Sequence, residues 1–382
     1  MIRLIVPSIE EDDLKAVGEV LASGYLVQGE RVSTFEQAVA GYVGSKYAVA
    51  VSNCTAALHL SLLALDVGPG DIVLVTAYSW IATANVIELC GAKPIFVDIC
   101  PDTFNMDPKS LEKTLEQLGA DREKARRIKA IMPVHTFGQM ADMEAILELA
   151  NRYHLPVIED AACALGATLN GRQAGTWGVM GCFSFHPRKA ITTGEGGIIT
   201  SNDSKLVRRL RALRNHGQDP EVSSPDFVMP GLNYRMTEFQ AALGLTQMRK
   251  LDRIIGTRRM QASMYDDLLK QVPVQPPNIR QGNLPIYQSY VVLLPERYSS
   301  KRTNVINHLK ERGIETTIGT LHMPLTSYLS SRYGYKQGDF PVTDQVFVRS
   351  ITLPMHEYLA EEEQVHVVNQ LGKVIFDLEG SL

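Results

Sequence analysis

Between residues 45 and 250 the chain alternates short runs that are apolar on both faces with longer stretches of helical periodicity. The short runs fall at 47–51, 72–75, 94–97, 130–133, 157–159, 182–185 and 197–200. Runs this short, with no polar face, predict strands covered on both sides. The helical stretches fall between them, at 56–65, 81–90, 110–117 and 142–153, and Gly68-Pro69-Gly70-Asp71 closes the first of these before the next strand. Strand and helix in turn predict an α/β fold: a mostly parallel sheet sandwiched between helices.

Beyond residue 251 the pattern changes. A basic helical stretch (Arg249, Lys250, Arg253, Arg258, Arg259) runs into a proline-rich passage at 272–277. Strand-like segments follow at 290–294 and 316–318, with helix-like segments at 301–312 and 361–371. The expectation is a large domain over 1–250, N-terminal segment included, and a smaller α/β domain over 251–382. The charge runs at 10–13 and 361–363 read as solvated faces.

With 382 residues and a formal net charge of −4, the chain can bury a large core and shows no basic surplus that would suit a nucleic acid. Its five cysteines form no C-x-x-C pair and leave an odd one, which argues for a reducing compartment. No apolar window approaches the ~20 residues of a membrane span, and the first residues lack the apolar stretch of a signal peptide. The expectation is a soluble, cytoplasmic protein.

Four segments carry groups that can do chemistry. Lys189 follows a strand and sits in the glycine-rich turn Ser184-Phe185-His186-Pro187-Arg188-Lys189…Gly194-Glu195-Gly196-Gly197. At a cleft edge such an amine can attack an aldehyde; elsewhere it is a solvated surface charge. Asp160 ends the apolar strand Val157-Ile158-Glu159. There it can point into the ligand crevice of an α/β sheet and hold a pyridinium nitrogen protonated, or simply cap the next helix. Glu159 faces the other way by strand alternation and reads as structural. Ser52-Asn53-Cys54-Thr55 passes from strand to helix, where free N–H groups favour a phosphate, with hydroxyls from Thr55 and Ser184. Plain N-capping is the alternative. Trp80 follows a strand and can stack on a flat ring, or serve as core.

These segments resemble the DegT/DnrJ/EryC1/StrS family of sugar aminotransferases, which have the fold-type I architecture of pyridoxal-phosphate (PLP) enzymes. The resemblance covers nearly the whole chain. It runs through Ser23-Gly24, Thr55-Ala56-Ala57-Leu58-His59-Leu60, Trp80, Glu159-Asp160-Ala161-Ala162, Ser184–Lys189, Glu195-Gly196-Gly197, His216-Gly217, residues 231–236 and Leu353-Pro354. It implies that Lys189 links covalently to the cofactor and shuttles a proton, while Asp160 pairs with the pyridine nitrogen and Trp80 stacks on the ring. Ser184, Thr55 and the Cys54 backbone hold the phosphate. Asn233 reaches the phosphate from the neighbouring subunit, implying a homodimer with shared sites. Tyr25, His186 and His322 line the substrate cleft. The cofactor alternates between pyridoxal and pyridoxamine phosphate, with L-glutamate as donor and a nucleotide-linked keto-deoxysugar as acceptor. The amino sugar product serves a surface polysaccharide or a glycosylated metabolite.

Two positions depart from the family pattern. Cys163 stands where many relatives carry Gln or His beside the cofactor's 3′-oxygen, and a thiol is a weak hydrogen-bond partner. Cys54 replaces a usual glycine, so its φ is expected to be negative. Family members with His at the lysine position are dehydratases; Lys189 favours amino transfer. Amination of a keto-inositol, dehydration on the same scaffold, and a non-catalytic PLP-binding sensor are the other readings.

Overall fold

Two helices that periodicity does not single out precede the first strand: α1 (Glu11–Ser23) and α2 (Glu30–Val43). Each ends at a glycine in the left-handed region, Gly24 and Gly44. In this computed structural model, which describes residues 1–222 and 224–379, the expected alternation then follows. It comprises β1 (Tyr47–Val51), α3 (Cys54–Ala64), β2 (Ile72–Thr76), β3 (Tyr78–Ser79), α4 (Ala82–Leu89), β4 (Lys93–Val97), α5 (Pro108–Gly119) and α6 (Arg122–Arg127). Next come β5 (Ile128–Met132), α7 (Met143–Arg152), β6 (Ile158–Asp160), a hairpin of β7 (Thr168–Leu169) and β8 (Arg172–Gln173), β9 (Met180–Ser184), β10 (Gly197–Ser201) and α8 (Ser204–Arg214).

The strands order as β4-β2-β5 and β6-β9-β10-β1. Parallel bridges Ile131↔Val157 and Val134↔Asp160 join β5 to β6, making one continuous layer. Only β10 runs against the rest, because it pairs antiparallel with both β9 and β1. Successive residues of a strand face opposite sides, and each side has its own core. Leu74, Ile131, Phe183 and Ile198 enter one core with Phe35 and Ile254. Their neighbours Val73, Val75, Met132, Cys182 and Ile199 enter the other, with Leu58, Leu60 and Ile87. Each such side chain contributes about 1.5–3 kcal/mol on burial. This two-sided burial is why the strands read as unbroken apolar runs.

The remainder begins with α9 (Glu238–Leu268), one helix of 31 residues that passes without a break through position 250. After it come β11 (Asn283–Leu284), β12 (Tyr290–Leu293), α10 (Arg302–Glu311), β13 (Thr317–Ile318), β14 (Leu321–His322), α11 (Ser327–Tyr333), α12 (Pro341–Arg349), β15 (Ser350–Leu353) and α13 (Glu361–Glu379). A β12-β15-β13 sheet packs with the end of α9 and with α10 and α13 around a third core, including Tyr265, Tyr290, Val305 and Leu371. The N-terminus joins this layer, since Ile2 bonds to Gly313 and Glu315, and Leu4 to Met355.

Two polar joints tie the layers together. Asp98, just past β4, caps α12 by accepting from Val342 N, Thr343 N and the Thr343 hydroxyl. Asp13 of α1 is 1 % exposed and accepts from Thr246, Gln247 and Lys250 of α9. The 10–13 run is therefore no solvated face at Asp13. Packing of α1 on α9 turns that residue inward. No helix among the described residues is long and apolar enough to cross a membrane.

Candidate active site

Because β1, β6 and β9 run in one direction, their C-terminal ends open on the same edge of the sheet. β1 delivers Ser52-Asn53-Cys54, β6 delivers Asp160, and β9 delivers Ser184 and the turn holding Lys189. Ligands of open α/β sheets bind at this edge.

Asp160 is 3 % exposed and Glu159 is fully buried. Glu159 is saturated: one oxygen accepts from Trp177 N and Gly178 N, the other from Gly175 N and His135 Nε2 at 2.9 Å. His135 Nδ1 accepts from Ala141 N at 3.2 Å, so its ring proton sits on Nε2 and donates to Glu159. Asp160 accepts from the Thr83 hydroxyl at 2.8 Å and from Ala162 N at 3.2 Å. Burial pushes the Asp160 carboxyl above the ordinary carboxylate value; Thr83, Ala162 and Lys189 offset this only in part.

Lys189 Nζ lies 3.0 Å from Cys163 Sγ. Burial alone would lower its pKa, but the sulfurs of Cys163 and Cys54 and the Asp160 carboxylate reverse the sign and raise it. His186, in the same turn, accepts from Arg188 N on Nδ1 at 3.2 Å and places Nε2 3.9 Å from Glu195. Its pKa is lowered, chiefly by desolvation.

At the start of α3 the Asn53 side chain accepts from Ala56 N at 2.8 Å. The preceding N–H groups of Cys54 and Thr55 have no acceptor among the described residues. Cys54 is not a positive-φ residue; it opens the helix in ordinary geometry. Gly197 lets β10 approach this loop, since a Cβ there would stand 2.5 Å from the Asn53 carbonyl. Burial holds the Cys54 thiol well above the ordinary value.

Of the residues singled out from sequence, Lys189, Cys163, Asp160, Cys54, Thr55 and Ser184 gather at this edge. Trp80 follows β3 and is largely exposed, its carbonyl accepting from Thr83. Asn233 is exposed, and its backbone pairs with Asn215 beside Ser52, which donates to Tyr234 O. Tyr25 is 82 % exposed on the turn after α1. His322 lies in β14, which pairs with β3 just before Trp80. It is buried in β14 against Phe340 and Phe347, with Nε2 3.0 Å from Asp344. Thr83 has a contact to Asp160 that sequence reasoning does not assign; its place three residues after Trp80, in the first turn of α4, is the available signal.

This residue set fits pyridoxal phosphate. A buried carboxylate without a cationic hydrogen-bond partner suits a protonated ring nitrogen. The two N–H groups at a helix start suit a phosphate, and the half-buried amine suits an aldehyde.

The model of the DegT/DnrJ/EryC1/StrS aminotransferase family matches residues 7–372. The chain is 38% identical over 380 residues to the GDP-perosamine synthase of Caulobacter vibrioides, covering 98% of both chains. Its structure is similar to that of Helicobacter pylori PseC, an aminotransferase of pseudoaminic acid biosynthesis, with a TM-score of 0.91, 27% identity, and 98% and 99% coverage of the two chains. It also resembles the PMP form of Spr1654 from Streptococcus pneumoniae, described as a putative sugar aminotransferase and solved in a PLP form as well. There the TM-score is 0.92 at 26% identity, covering 99% of this chain and 100% of the other.

Proposed function

The chain belongs to the DegT/DnrJ/EryC1/StrS aminotransferase family and is a PLP-dependent aminotransferase, and we propose that it moves an amino group from L-glutamate to the ketone of a nucleotide-linked keto-deoxysugar. The observation that carries the reading is the convergence of Lys189, Asp160 and the start of α3 at one sheet edge. The sugar acceptor rests on the relatives, one a GDP-perosamine synthase and one an enzyme of pseudoaminic acid biosynthesis.

When bound, PLP supplies an aldehyde that condenses with amines and a ring that accepts the electron pair left behind by a departing proton. In our reading Lys189 Nζ is the amine that would hold the cofactor covalently, and once free of it would serve as the acid–base group. It then takes the proton from the donor's α-carbon, and in the second half-reaction it delivers a proton to the acceptor's carbonyl carbon. Asp160 keeps the ring nitrogen protonated, which favours loss of the α-proton. Cys54 N–H, Thr55 and Ser184 bind the phosphate. Cys163, 3.0 Å from the amine, would stand near the cofactor's 3′-oxygen, and the exposed Trp80 would stack on its ring. Tyr25 and His186 border the substrate entrance.

We assign Asn233 to the phosphate of a partner subunit's site in a homodimer. Exposed apolar residues Tyr25, Leu26, Val27, Phe227 and Val228 support an interface of that kind. The five free thiols suit the cytoplasm. The test is to add L-glutamate to the PLP-loaded protein and follow 2-oxoglutarate and the loss of visible absorbance. A panel of nucleotide ketosugars then scores the return of that absorbance. No 2-oxoglutarate from glutamate overturns the donor; a dehydrated sugar instead of an amino sugar overturns the reaction.

A further inference from the structure

The turn that carries Lys189 has no regular secondary structure from residue 185 to 196. No ladder or helix fixes the peptide groups around the lysine, so their hydrogen bonds must come from elsewhere. Lys189 N and Arg188 N donate to His186, and the Arg188 carbonyl and Ala190 N–H that flank Lys189 are both met by one other side chain. Gln288 Oε1 accepts from Ala190 N at 3.0 Å, and Gln288 Nε2 donates to Arg188 O at 2.5 Å. The two partners fix the amide's orientation, because the N–H can face only the oxygen and the carbonyl only the NH2. Gln288 is 4 % exposed, so water does not compete for these bonds.

Gln288 is itself held from behind. Arg258 of α9, 2 % exposed, donates to the carbonyls of Tyr287 and Gln288, both at 3.1 Å. Ile286 N donates to Gly138 O and Ser289 N to Phe137 O. Gly138 has φ +90°, and a Cβ there would stand 2.8 Å from Gln288 N, so only glycine lets the two segments close up. Tyr287 takes a left-handed φ of 48°, a cost the surrounding bonds must sustain.

We propose that Gln288 is a positioning residue for the reaction: its amide brackets the peptide groups on both sides of Lys189 and sets where the amine stands. The inference rests on the reading of Lys189 given above. A misplacement of ~1 Å at a reacting group costs about 100-fold in rate.

Gln288→Met removes both bonds at similar shape. Gln288→Glu keeps the acceptor, loses the donor while ionised, and regains it as an O–H once protonated. In Gln288→Met we expect kcat lower by roughly 10- to 100-fold with KM little changed. The pH midpoint of the visible absorbance should shift, and the Ala190 amide should exchange hydrogen faster in the full chain without cofactor. In Gln288→Glu, kcat relative to the parent's at the same pH should rise as pH falls. Parent-like exchange together with a parent-like absorbance midpoint in Gln288→Met overturns the proposal. If that variant does not fold, Gln288→Glu decides, and a parent-like pH profile overturns it. Lys189→Ala separates the two readings. Should it keep colour and turnover, the reading of Lys189 fails. Should it lose both while the Gln288 variants match the parent, only the role of Gln288 fails.

Discussion

Glu159 and Asp160 are consecutive buried carboxylates on one strand, yet Glu159 accepts four hydrogen bonds and Asp160 two. Strand alternation sends Glu159 into the loop at 175–178 and leaves Asp160 at the sheet edge. The first carboxylate holds the scaffold. The second keeps capacity for a cationic partner.

Replacing Lys189 by Ala removes the group to which we assign the cofactor link and the proton transfer. We expect loss of the visible absorbance of the PLP-loaded protein and a fall in turnover of at least ~1,000-fold, within the range for a positioned acid–base group. Steady-state assay and absorbance spectra check this.

Asp160→Asn separates stability from activity. The native carboxyl has its pKa raised by burial, so above that pKa the cofactor-free fold carries the cost of a desolvated charge. The neutral variant is expected to be more stable than the parent by about 1–2 kcal/mol at neutral pH without cofactor. That advantage should fade as pH falls through the raised pKa into the ordinary carboxylate range. Melting temperatures across pH measure it, and a difference that ignores pH contradicts it. Activity should be lost.

Glu159→Gln leaves three backbone N–H groups and His135 around a side chain with one acceptor oxygen and an NH2 group. The expected loss is about 2–4 kcal/mol, read by urea denaturation, because a buried network loses a charged acceptor.

The Asp13–Lys250 contact has the opposite pH signature to Asp160. Burial raises the Asp13 carboxyl, but bonds from Lys250, Thr246, Glu10 N and Gln247 outweigh it and lower its pKa. Its stabilisation is therefore present above the ordinary aspartate pKa of ~3.9 and is lost as pH falls through the lower folded value. Lys250→Met should cost about 3–5 kcal/mol at neutral pH. The gap to the parent should narrow in acid, measured by denaturation at each pH.

The central strands were legible because burial on two sides leaves an apolar run; β1 starts and stops where the sequence predicts. Lys189 and Asp160 could be set at strand ends from the α/β pattern, but a surface charge and a helix cap fitted those places as well. Their roles were implied by the resemblance of Ser184–Lys189 and residues 159–162 to the family. Gln288 gave no such signal. Its partners lie 98 and 100 residues away, and a lone glutamine before a strand looks like surface until the fold brings it to the lysine turn. The surroundings of His322 were equally unannounced, since nothing local shows that Asp344 and two phenylalanine rings enclose it. The charge run at 10–13 concealed Asp13 because helix docking, not composition, selects which acid turns inward.

Putting the chemistry at one end of the parallel strands leaves the far rim free for engineering. The turn between α3 and β2 exposes Pro69 and Gly70 there, the length of a five-residue strand from the reactive edge, or ~17 Å. A fluorophore or affinity handle inserted at that turn should ride on the enzyme without touching substrate traffic, which makes it a natural anchor for immobilisation.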